Sequence, residues 1–212
     1  YLGDGSRAMW TAPVKQADHA VAACRAALAI QKALPALSAS WVERLGTPIS
    51  IGVGINTGPA QVGNTGSTRK FMYGPLGNTV NLASRVEGAT KYLHTPILVT
   101  GATHKEIGGH FATRRICKVR VVGIAEPVDL HELYGDSAEA EWTHRRDIYE
   151  QGLLQYESRQ WFKACQTLLP LMATGEATGH YDHAALKLMK RCWSCLESPP
   201  EPFEPVLELS SK

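Results

Sequence analysis

Residues Gly74 to Arg85 read "GPLGNTVNLASR". A turn rich in Gly, Pro and Asn runs straight into a segment of helical periodicity, and Asn78 or Thr79 is placed to cap its first turn. Carried on to Leu93, the segment sets Leu82, Val86, Ala89 and Leu93 on the stripe that a helix turns toward a core. Asn81 and Arg85 each precede a stripe residue by one position. They therefore form a second row about 100° round the helix, one turn apart, beside the core rather than opposite it. An amide and a guanidinium at that margin can reach into a cleft or an interface; on spacing alone they serve equally well as a solvated flank.

The rest of the chain supplies the setting. Its 212 residues are 44% hydrophobic and 20% charged, enough for one good core and a small second unit. A net charge of +2 and a pI near 8.3 fall short of the concentrated basic stripe used to bind nucleic acid. No uncharged apolar run approaches the roughly 18 residues needed to span a bilayer. Five scattered cysteines, Cys24, Cys117, Cys165, Cys192 and Cys195, read as free thiols of a reducing compartment. "CWSC" has metal-like spacing, but His183 and Cys192 on one helix would stand roughly 13 Å apart. Ala185, Leu188, Cys192 and Cys195 also fall at core spacing, so zinc is not expected. The chain opens on "YLGDG" without an initiator Met, as an N-terminally truncated domain would.

Alternation of strand and helix patterns argues for an α/β layer with helices against a sheet. "SRAMW" reads as a strand, and "KQADHAVAACRAALAIQKAL" as a helix kinked or ended by Pro35. "ISIGVGINTG" reads as a buried strand, and "AQVGNTGSTRKFMYG" as a hairpin turning at its Asn-Thr-Gly-Ser cluster. "TPILVT" and the two halves of "ICKVRVVGIAEPVDLHEL" complete the strands. Residues 1–134 make this first unit and 135–140 a linker. Residues 141–197 form a helical extension whose "GLLQY…W…A" spacing resembles a tetratricopeptide-type hairpin, and 198–212 a Pro- and Glu-rich extended tail. About three helices cannot stand alone as a solenoid, so they must pack on something.

Three motifs, in order, carry a resemblance to a known family. "YLGDGSRAMW", "GVGINTGPAQVGNTGS" and "GNTVNLASR" resemble the catalytic domain of class III adenylate and guanylate cyclases, over residues 1 to about 134. The resemblance implies a ferredoxin-like α/β (α+β) fold, a mixed or antiparallel sheet with helices on one side, and an active site at a head-to-tail homodimer interface. It implies that Asp4 is the second of two metal-binding aspartates, for Mg²⁺ or Mn²⁺, that Asn81 orients a ribose and that Arg85 contacts phosphate. It further implies a cytoplasmic catalytic domain that makes a cyclic nucleotide and pyrophosphate, from ATP in preference to GTP, in intracellular signalling. Upstream sensory or membrane-anchoring regions are common in that family. These residue types suit the chemistry: carboxylates hold ions that activate the 3′-hydroxyl, and a fixed guanidinium meets charge growing on the α-phosphate.

The sequence departs from the family pattern in places. Gly74 occupies a base-reading position usually held by Asp, Thr or Cys, and Ile124 a position where some members carry a triphosphate-binding cation. Arg69 and Lys70 are nearby cations for that triphosphate, though a solvated turn explains them better. The first metal aspartate and the base-selecting Lys or Glu belong upstream of residue 1, so the chain alone is expected to be inactive. Two other readings stand beside the enzyme: a degenerate cyclase-homology domain that dimerises and senses nucleotide, and an adaptor whose C-terminal helices take a protein partner.

Overall fold

The computed structural model of the chain describes residues 5–67, 70–121, 126–178 and 181–209. From the N-terminus, α1 (His19–Leu45) is followed by β1 (Val53–Ile55), β2 (Gln61–Ser67), β3 (Lys70–Leu76), α2 (Asn78–Leu93) and β4 (Ile97–Thr100). Then come α3 (Gly101–Ile107), β5 (Ala112–Val121), β6 (Val128–Gly135), α4 (Ala140–Glu157), α5 (Trp161–Thr178), α6 (His183–Glu197) and β7 (Val206–Leu209). Five strands form one mixed sheet in the order β1-β4-β6-β5-β7. The outer pairs, β1 with β4 and β5 with β7, are parallel, and the inner pairs are antiparallel. Strands β2 and β3 make a separate antiparallel ribbon. The expected α+β class is therefore what the chain adopts.

Helices cover both faces of the sheet, rather than the one side implied by resemblance. Along β4, successive side chains point to opposite faces. Ile97 and Val99 pack with Ala20, Val21, Cys24 and Ala27 of α1, together with Ile107 and Phe111. Leu98 faces the other way, into a larger core with Val86, Ala89 and Leu93 of α2, Val119 of β5, Tyr149 and Leu153 of α4, Leu168 of α5 and Leu188 of α6. The C-terminal helices thus find their packing partner within the chain: they complete the core beneath α2. Ala185, Leu188, Cys192 and Cys195 are all buried, as their spacing predicts, and no group of three or more metal-ligating residues forms among the described residues.

Charge fastens that layer to the sheet. Arg114 of β5 is buried, with Nε 2.8 Å from Glu132 of β6 and Nη1 paired to Asp182, which caps α6 by accepting from the Ala185 N–H. The ring of Tyr149 lies 4.6 Å beneath the guanidinium. Burial alone would lower the Arg114 pKa, but the Glu132 and Asp182 carboxylates outweigh it and raise it. Next along the strand, Arg115 holds Glu157 of α4 with both terminal nitrogens, at 2.9 and 2.7 Å.

Several local expectations need correction. "SRAMW" forms no strand: Gly5 makes an isolated bridge, and no described strand lies alongside the residues after it to take up their N–H and C=O groups. Of the two alternatives at Pro35, an end is overturned: α1 runs through it to Leu45, and the cap Gly46, with φ 71°, returns its N–H to Val42; one lost backbone bond does not end a 27-residue helix. By length and composition α1 is also long and apolar enough to cross a membrane, although it carries Arg25, Lys32, Glu43 and Arg44, and its first half is packed on the sheet. The Asn-Thr-Gly-Ser cluster belongs to β2, whose pairing continues to Ser67 and Lys70, so the hairpin turns later than expected. The tail is not merely extended: Val206–Leu209 is β7, hydrogen-bonded beside β5.

Candidate functional site

What places α2 is a pair of glycines. A side chain at Gly54 would stand 2.2 Å from the backbone N of Glu87 and 2.6 Å from the Ala83 carbonyl; one at Gly52 would stand 2.1 Å from the Thr90 hydroxyl. Only bare backbone lets β1 lie this close to the helix. The first turn of α2 is then tied to the segment after β1: Asn56 Nδ2 donates to the Thr79 carbonyl at 2.9 Å, and Thr79 Oγ1 donates to the Pro59 carbonyl at 2.5 Å. Gly77, with φ 118°, is the N-cap, and no side chain caps the helix. Asn78 and Thr79 are its first residues rather than caps, because a glycine in that conformation turns the chain without a side-chain acceptor.

On the helix so placed, Val86, Ala89 and Leu93 are buried as expected and Leu82 is half-buried, while Val80 joins them unforeseen. Asn81 and Arg85 are both exposed on the adjoining flank, and neither side chain has a hydrogen-bond or ion-pair partner among the described residues. The C-terminal layer leaves that flank open. It meets α2 at the far end, where His183 stacks on His94 with centroids 4.6 Å apart and Lys187 Nζ lies 3.9 Å from the centre of the Tyr92 ring.

The ribbon stands just before α2. Gly74 of β3 pairs with Gly63 of β2, and a side chain added at either would meet no atom within 4 Å. Lys70 opens β3 opposite Ser67. Asp4, Arg69 and Ile124 lie outside the described residues. Sequence reasoning overlooked Gly52, Gly54 and Asn56. The two glycines sit two apart on one strand face, a pattern that signals close approach of another backbone.

Comparisons with known proteins agree with the fold. The fold is that of a nucleotidyl cyclase catalytic domain: it superposes on the adenylyl cyclase CyaB from P. aeruginosa with a TM-score of 0.53 at 30% identity, covering 61% of this chain and 65% of that one. The guanylyl cyclase Cya2 gives 0.52 at 31%, covering 61% and 64%. Residues 1–133 match the family model of the Adenylate and Guanylate cyclase catalytic domain, and the chain belongs to that family. By sequence it is 36% identical to Adenylate cyclase 1 of Rhizobium meliloti (strain 1021) over 136 residues, 64% of this chain and 20% of that protein. It is 31% identical to Adenylate cyclase of Anabaena cylindrica over 140 residues, 63% of this chain and 27% of that protein. The chain thus spans about a fifth to a quarter of the length of these curated relatives.

Catalytic domains of this family generally depend on divalent metal ions. Among the described residues, no three acidic, His or Cys side chains gather into a group that could hold a metal ion.

Proposed function

We propose that this chain serves a nucleotidyl cyclase that converts a purine nucleoside triphosphate, ATP in preference to GTP, into the 3′,5′-cyclic nucleotide and pyrophosphate at a homodimer interface. The ribose 3′-oxygen attacks the α-phosphorus and the bond to the β-phosphate oxygen breaks. Arg85 meets the charge that grows on the departing oxygens with a planar fork of donors. Asn81 holds the ribose by its amide and adds no charge. The preference for ATP follows the names of the Rhizobium and Anabaena relatives. One observation carries the reading: the side chains of Asn81 and Arg85 stand exposed and, among the described residues, unpartnered, one turn apart, on a helix fixed from beneath by two glycines. Two polar groups held this rigidly suit a nucleotide shared with a second copy.

The test is cyclic-nucleotide formation from ATP and from GTP with Mn²⁺, using the protein at its natural length. Arg85→Ala should lower turnover by about 10²–10³-fold and change nucleotide affinity far less. An unchanged turnover number removes Arg85 from the mechanism, and no cyclic product from the wild type favours a nucleotide-sensing domain instead.

A further inference from the structure

The half-buried amide of Asn56 sits where three elements meet. Its Nδ2 donates to the Thr79 carbonyl at 2.9 Å and its Oδ1 accepts from the Thr100 hydroxyl at 2.8 Å. The orientation is fixed by chemistry, because a carbonyl oxygen can only accept and the amide nitrogen must therefore face Thr79. Behind it runs a set of hydroxyls: Thr100 is 3.3 Å from Thr103, which is 3.0 Å from Thr57 and also donates to the Ile55 carbonyl. Thr100 and Thr103 are wholly buried. Thr100 also caps α3, so the anchor belongs to the sheet and not to the ribbon. Thr79 lies two residues before Asn81, in the same first turn, and no side-chain cap otherwise holds that turn.

We infer that Asn56 is a positioning residue: its amide ties the first turn of α2 to the buried threonines at the end of β4 and so sets the direction in which Asn81 meets its ligand. The inference rests on the cyclase reading above. A structural filler could be replaced by anything of similar size. A positioning donor cannot, because only an N–H or O–H at that atom can add this second hydrogen bond to the Thr79 carbonyl and tie it to the sheet.

Asn56→Asp separates the two roles. It preserves the shape but sets a carboxylate oxygen against the Thr79 carbonyl; the repulsion is relieved only when the carboxyl takes a proton and donates it. Arg85, Glu87, His104, Lys105, Asp129 and His131, on the elements packed around this point, are common to both proteins. The ratio of variant to wild type cancels their titration. At pH 8 the variant should lose tenfold or more in kcat with little change in KM, and recover most of it by pH 5.5. Hydrogen-exchange protection of the Val80 and Asn81 amides, which donate to the Gly77 carbonyl, should fall and recover over the same range without reference to activity. Wild-type protection in the variant at pH 8 would overturn the inference, as would lost protection with unchanged kcat. A wild type that makes no cyclic nucleotide would overturn the proposed function, and the exchange arm would then decide the contact alone. Should Asn56→Asp fail to fold, Thr100→Val removes the hydroxyl that holds the amide; it should reduce protection and kcat severalfold at every pH, and wild-type values would refute the role.

Discussion

Lys187 of α6 lies over the face of Tyr92 in the last turn of α2, its ammonium 3.9 Å from the ring centre. The contact joins the helix that carries Asn81 and Arg85 to a segment beyond the 133 residues matched by the family model. A cation over an aromatic face contributes about 0.5–1 kcal/mol where it is exposed, so alone it is a fastener and not a foundation. The foundations are buried, and they can be tested one at a time.

Gly54→Ala should be among the most damaging single changes. Its methyl would fall on backbone atoms of Glu87 and Ala83, which cannot swing aside as a side chain can. We expect a loss of about 2–3 kcal/mol in urea unfolding and, in the folded remainder, a fall in turnover as α2 lifts from β1.

Asp182→Ala removes a buried partner of Arg114 and the cap of α6 together. Leaving a guanidinium buried with Glu132 alone should cost about 3–5 kcal/mol. Replacing Arg114 by Met in the same molecule should recover part of that loss. Chemical denaturation of the single and double variants measures both steps.

His131 gives the protein a predictable weakness to acid. Burial, and secondly the stacked His104 ring 3.9 Å away, push its pKa down from 6.5 to about 4. The folded state therefore favours the neutral ring. Its contribution is complete above pH 6.5, where the unfolded chain is also neutral, and is lost as pH falls from there toward 4, while the unfolded chain takes up a proton that the folded one refuses. The loss should approach about 3 kcal/mol. Denaturation midpoints between pH 7.5 and 4.5 should drop accordingly, and His131→Gln should flatten that slope.

Phe203 joins the tail to the helical corner, edge-on to Tyr156 at 5.5 Å and to Trp161 at 5.3 Å between ring centres. Phe203→Ala should cost about 2 kcal/mol and loosen β7 first. Faster hydrogen exchange at Val206–Leu209 than in the rest of the sheet would show it.

How far the sequence spoke depended on which force set each element. The stripe of Leu82, Val86, Ala89 and Leu93 announced α2, because burial of one face dictates that period. The margin carrying Asn81 and Arg85 followed from it, and both residues are indeed exposed beside the core. Val80 was missed since it lies off that stripe, two positions before Leu82. Strand β7 was illegible: Pro and Glu dominate its surroundings, and pairing with β5 plus the hold of Arg120 on Glu204 and Glu208 makes it a strand. Arg114 drew no notice in the sequence, for nothing local tells that Asp182, 68 residues on, will meet it. The catalytic roles themselves came from family resemblance rather than from any of these forces.

Strand β7 also bears on how the protein can be handled. By lying along β5 it covers Lys118–Val121 and moves the sheet's edge from a ten-residue strand there to a strand of four residues. A reporter or affinity handle fused close behind Leu209 would tug on a hydrogen-bonded staple of the sheet. A spacer long enough to go slack is therefore part of any sound fusion made behind Leu209.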